Sequence, residues 1–134
     1  SEPVSISRET TFARDLHAIH DRAELGQILT SLCQRVATDL QRKGYAGKSI
    51  GIKLRYADFK IVTRNATIGH HTADAQELRQ VARQCLKRVD LQHPLRLLGV
   101  RVGQLAPATI LAQQKNLPDP AESGDLFSSA ACAW

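Results

Sequence analysis

Lys53, Arg55, Lys60 and Arg64 lie within residues 48–67, where apolar and polar side chains alternate. Cations held along one face of a strand are suited to gripping the phosphates of a polyanion. Ile50, Ile52, Leu54 and Tyr56 alternate with Ser49, Gly51, Lys53 and Arg55, the period of two expected of a half-buried strand. If Ala57 and Asp58 form a two-residue loop, Tyr56 faces Phe59, Leu54 faces Ile61 and Arg55 faces Lys60. All four bases then share one face. Directly opposed like charges are destabilising, so stability gives no reason to collect them there. An ordinary solvated surface is the alternative reading, and a bulge in the turn would flip the parity of the second strand.

Other chemistry finds less support. Two-metal phosphoryl transfer needs clustered carboxylates, and no compact acidic motif is present. Asp58 reads as a turn residue and Asp74 as a helix cap. His17 and His20 are three apart, His70 and His71 are adjacent, and Cys33, Cys85 and His93 are scattered, without metal-ligand spacing. Cys33 and Cys85 fall in apolar helical stripes, where cysteine acts as a small hydrophobe. The sequence therefore predicts no catalytic residue and no metal site within this chain.

The elements that position the basic residues follow from periodicity. Residues 4–12 are rich in β-branched and hydroxyl side chains and predict a strand. Over residues 24–43, Leu25, Ile28, Leu29, Leu32, Cys33, Val36 and Leu40 form one helical stripe that Gly44 ends. The hairpin comes next. Asp74 and Glu77 then resemble a capping pair for a second helix, with the stripe Leu78, Val81, Ala82, Cys85, Leu86 and Val89. Residues 95–102 alternate again, with Leu98, Val100 and Val102 opposite Gly99 and Arg101.

The order strand, helix, strand, strand, helix, strand predicts an α+β fold of the split βαβ type. Two helices cover one face of a four-stranded sheet and leave an open basic face. That face should carry Lys53, Arg55, Lys60, Arg64 and Arg101 with Gly51 and Gly99, whose missing side chains allow another backbone to approach closely.

Composition fits this picture. The chain has 134 residues, 43% of them hydrophobic, enough for one domain with a single core. Its formal charge is +5, but residues 104–134 hold one base (Lys115) and three acids (Asp119, Glu122 and Asp125). This leaves 17 bases and 10 acids on the first 103 residues, a net +7, which favours an acidic partner over a neutral small molecule. Three dispersed cysteines suggest a reducing compartment. No apolar run approaches the roughly 18 residues of a membrane span. The reading is a soluble, cytoplasmic and monomeric protein, and the lack of any methionine suggests a piece of a longer polypeptide.

Three segments in order carry a resemblance: Ser5-Ile6-Ser7-Arg8-Glu9-Thr10-Thr11-Phe12, then Lys53-Leu54-Arg55-Tyr56-Ala57-Asp58-Phe59 with Thr63-Arg64, then Leu95-Arg96-Leu97-Leu98-Gly99-Val100-Arg101-Val102. Over residues 4–106 the chain resembles the little finger domain of Y-family translesion DNA polymerases, and most of all the bacterial polymerase IV branch. The resemblance implies a sheet laid along the major groove beside the primer-template duplex and touching mainly phosphates. Catalysis and its Mg2+ ions would belong to separate domains of the parent polymerase. It implies phosphate contacts from Lys53, Arg55, Arg64 and Arg101, with Ser7, Thr11 and Lys60 next and Gly51 and Gly99 beneath. Strand parity places Arg8 with Ile6 on the core side.

From residue 107 onward Pro107, Pro118, Pro120, Ser123 and Gly124 break periodicity, and residues 107–134 read as a flexible tail. Polymerases of this family often end in a QLxLF peptide that inserts into a cleft of the sliding clamp. Asp125, Leu126 and Phe127 match its end, whereas Ser123 and Gly124 replace the first two positions. Two alternatives remain. An RNA-binding module on a similar sheet would need aromatics on the open face, yet Tyr56 and Phe59 fall on the helix side. A small enzyme or dimerisation domain would need a convergent polar cluster between helices and sheet, and none is evident.

Overall fold

The computed structural model describes residues 4–115. In chain order the elements are β1 (Ser5–Leu16), α1 (Arg22–Lys43), β2 (Tyr45–Tyr56), β3 (Ile61–Thr72), α2 (Ala75–Leu86), β4 (Leu95–Pro107) and α3 (Ile110–Lys115). All pairings are antiparallel and the strand order is β1-β4-β2-β3. β1 and β2 both run opposite to β4, so they are parallel to each other with β4 between them. β3 and β4 have the same relationship about β2. The fold is thus two interleaved split βαβ units, as the α+β reading expected.

Alternation decides which face is covered. Ile6, Ile50, Ile52, Leu54, Leu98, Val100 and Val102 point to one side and are buried. There they meet Leu25, Leu29, Leu32, Val36 and Leu40 of α1 and Leu78, Ala82, Cys85 and Leu86 of α2. Burying a Leu or Ile side chain is worth about 1.5–3 kcal/mol, so this one-sided packing dominates the stability of the sheet. Cys33 and Cys85 belong to the core. Burial pushes the Cys33 thiol up to about 12 and raises that of Cys85, so neither is a ready thiolate.

The helix ends follow local chemistry. Gly44 ends α1 with φ at 81°, a left-handed conformation that glycine adopts without penalty, and its carbonyl accepts from Ala108 N–H at 2.8 Å. Asp74 caps α2 by accepting from Glu77 N–H at 2.9 Å. The reciprocal half of the expected capping pair does not form. The Glu77 side chain pairs with His70, while Asp74 N–H donates to Thr72 Oγ1 at 3.1 Å.

Two expectations change. The loop between β2 and β3 has three residues, not two: Phe59 N–H donates to Tyr56 O, Tyr56 N–H donates to Lys60 O, and Phe59 takes φ of 71°. A turn followed by one left-handed residue is a common three-residue hairpin connection, and it shifts the second strand by one position. Ordered structure also continues past residue 106. β4 extends to Pro107, and α3 packs Ile110 and Leu111 against the core. Gln114 also accepts from His71 N–H at 2.7 Å and donates to His71 O at 2.9 Å. No helix among the described residues is long and apolar enough to cross a membrane.

Candidate nucleic-acid interface

The uncovered face is built from four rows that cross all four strands in the order β1, β4, β2, β3. They are Ser5, Gly103, Ser49, Thr67; Ser7, Arg101, Gly51, Asn65; Glu9, Gly99, Lys53, Thr63; and Thr11, Leu97, Arg55, Ile61. Lys53, Arg55, Arg101, Ser7, Thr11, Gly51 and Gly99 therefore come together here, as the alternation in β2 and β4 predicted. A shallow trough of about 510 Å³ runs over the small residues.

The second strand of the hairpin departs from expectation. Arg64 lies opposite Ile52, and Arg55 lies opposite Ile61. Arg64 is thus on the helix side with Val62, Ala66 and Ile68, and Nη1 donates to Thr63 O at 2.7 Å. Lys60 belongs to the turn. Its N–H donates to Asp58 Oδ1 at 3.1 Å. The three-residue loop flips the parity of β3, so Thr63 and Asn65 face outward in place of Arg64. Phe59 also differs: it sits at the hairpin tip, 63% exposed, with Arg96 Cζ 5.0 Å from its ring centroid. Tyr56 stays on the helix side and donates to Asp90 O at 2.6 Å. None of the sixteen residues in the four rows is aromatic.

The face is therefore less basic than the five expected cations suggested. Its rows hold three bases and one acid, a net charge of +2. Arg101 has no hydrogen-bond or ion-pair partner among the described residues. Arg55 Nε is buried without a partner, and a buried unsatisfied guanidinium donor is costly unless something supplies an acceptor. Lys53 Nζ lies 3.2 Å from Glu9 Oε2, an acid that cation counting overlooked although strand parity puts it on this face.

Arg8 turns to the helix side, as parity indicated, and forms two hydrogen bonds with Asp39. The glycines also have internal reasons. A Cβ at Gly51 would lie 2.9 Å from both Arg64 O and Asn65 Cβ, and one at Gly99 would lie 3.1 Å from Glu9 Cβ. The described residues contain no group of three or more His, Cys, Asp or Glu able to hold a metal ion. Asp125, Leu126 and Phe127 lie outside the described residues.

An open, weakly basic antiparallel face backed by two helices on a split βαβ sheet is the arrangement expected of a little finger domain of the Y-family DNA polymerases. Residues 3–131 match the model of the impB/mucB/samB family C-terminal domain, and the chain belongs to that family. It is 39% identical over 104 residues to DNA polymerase IV of Caulobacter vibrioides, covering 78% of this chain and 25% of that protein. To DNA polymerase IV of Alkalilimnicola ehrlichii it is 34% identical over 127 residues, covering 94% and 32%. The chain thus spans about a quarter to a third of these relatives. Among solved structures, the complex of a beta-clamp processivity factor with the little finger domain of PolIV matches with a TM-score of 0.60 at 22% identity, covering 77% of this chain and 90% of that one. That likeness concerns the fold.

Proposed function

We propose that this domain grips duplex DNA without sequence preference for a translesion DNA polymerase whose catalytic part, with its Mg2+ ions, lies elsewhere in the parent protein. The observation that carries this reading is the open face, where Arg55 and Arg101 present unpartnered guanidinium groups beside low-relief glycines. Guanidinium groups match phosphate oxygens in geometry as well as charge. The hydroxyls of Ser7 and Thr11 add neutral donors, and Lys53 a third cation. Such contacts position a duplex and carry no sequence information, which suits an enzyme that must accept damaged templates.

The relatives' polymerase IV names and the +7 charge of the first 103 residues support the same reading. On it the protein works in the cytoplasm with DNA, as a monomer. A secondary role follows from the tail: Asp125, Leu126 and Phe127 would dock into a sliding clamp, the kind of partner with which the matching PolIV little finger is in complex.

The test is a salt titration of the 134-residue chain on two unrelated duplexes. Two phosphates neutralised by Arg55 and Arg101 predict a slope of log K against log salt of about −1.8, or about 12-fold weaker binding between ~50 and ~200 mM salt, and a third at Lys53 would bring the slope to about −2.7. Binding that ignores salt, or that distinguishes the two sequences strongly, would overturn the proposal.

A further inference from the structure

Glu9 is the one acid in the four rows of the open face, and it stands on edge strand β1 at the end of the third row. Its carboxylate reaches Lys53 Nζ at 3.2 Å. The two residues are on β1 and β2, strands that are not neighbours, because β4 runs between them and places Gly99 in the gap. A side chain at that position would obstruct the bridge: a Cβ there would be 3.1 Å from Glu9 Cβ and 3.6 Å from Lys53 Cβ. Glycine at position 99 thus lets an ion pair lie across the floor of the trough. Both side chains stay accessible, at 53% for Glu9 and 39% for Lys53.

We infer that Glu9 is an intramolecular competitor for the phosphate site of Lys53, a residue that limits how firmly the face grips its polyanion. This rests on the DNA-gripping reading and adds its regulation. A carboxylate offers the ammonium the same kind of anionic oxygen acceptor as a phosphate, so the free domain holds Lys53 already neutralised. An exposed lysine–carboxylate pair is weak, and a phosphate can displace Glu9 readily. Once displaced, the carboxylate remains beside the incoming phosphates and repels them. Lys53 therefore contributes little net binding while Glu9 is charged, and the grip rests mainly on Arg55 and Arg101. A domain that must let duplex pass at each nucleotide addition is served by a grip held below its maximum.

The experiment compares salt dependence of duplex binding for the full chain, Glu9→Gln, Lys53→Gln and the double variant. Glu9→Gln should steepen the slope of log K against log salt by about 0.9, the value of one additional neutralised phosphate, and raise affinity about tenfold at ~50 mM salt. The double variant should lose that gain. Glu24→Gln on the helix side changes net charge equally and should leave the slope alone. Equal slopes for Glu9→Gln and the unmodified chain would overturn the competition, as would a gain that persists in the Lys53→Gln background. If neither the unmodified chain nor Glu9→Gln binds duplex even at low salt, the DNA-gripping reading itself fails, and the inference with it.

Discussion

Arg8 of β1 grips Asp39 of α1 through two hydrogen bonds, Nε to Oδ2 at 2.7 Å and Nη2 to Oδ1 at 3.1 Å. Asp39 is buried, and Arg42 Nη2 also donates to it at 3.1 Å. A charge from the first strand is thus used to fasten an edge strand to a helix. The hydrogen bond from Arg8 is the main reason the Asp39 carboxyl is held below the usual carboxylate range, with burial opposing it. Because the folded-state value lies below the unfolded value of about 3.9, this contribution is present above that pH and lost as pH falls through the folded value. Asp39→Asn should therefore lower the urea midpoint at pH 7, with the gap to the unmodified chain closing below about pH 3.9. A gap of equal size at pH 3 would mean that the carboxylate charge is not what matters.

On the DNA side, Arg101→Ala and Arg55→Ala should each weaken binding to unrelated duplexes alike and make the salt slope shallower by about 0.9. Arg64→Ala should change the slope much less, since its guanidinium lies on the helix side. Equal effects of Arg64→Ala and Arg101→Ala would show that β3 meets DNA along its edge.

Gly51→Ala should destabilise the sheet without removing any proposed contact. The added methyl would sit 2.9 Å from Arg64 O and Asn65 Cβ, and overpacking of this kind costs about 1–3 kcal/mol. Chemical denaturation reads the loss directly.

Gln114→Ala should release both backbone groups of His71 on edge strand β3. The loss is about 1 kcal/mol for a partly exposed pair of hydrogen bonds. Amide exchange at His71 should accelerate while that at core residues such as Ile50 changes little. Unchanged exchange at His71 would mean that α3 does not hold that edge.

For the tail, Phe127→Ala should abolish binding of the full chain to a sliding clamp while leaving duplex binding intact. Clamp affinity that survives the change would sink the clamp proposal.

Much of this was legible in the sequence because it depends on periodicity. The stripes of α1 and α2 and the alternation in β2 and β4 gave the element order, the covered face, and the placement of Lys53, Arg55 and Arg101. Arg8 was also placed correctly by parity, although its partner Asp39 was not foreseen, since a helical acid close in space is distant in sequence. What failed turned on one residue. Nothing in Ala57-Asp58-Phe59 announces that an aromatic will take the left-handed position usually filled by glycine or asparagine, and that choice moved Arg64 off the open face. The short helix beyond residue 106 was not legible for a related reason. Proline and short polar residues mark a loss of periodicity, but they do not reveal that Gln114 finds the backbone of His71.

The strand order bears on how the chain is made. Of the four strands β4 is the last to leave the ribosome, yet it pairs with both β1 and β2, which do not pair with each other. Until residues 95–107 emerge, β1 has no strand of this sheet to join, and one edge of β2 has no cover. Ile6, on β1, then lacks the strand partner that completes its burial. The nascent domain is therefore a hairpin and two helices waiting for a central stave. Closure from an end to the middle couples the first strand of the sheet to the last, so completion of the sheet reports that translation has passed residue 107.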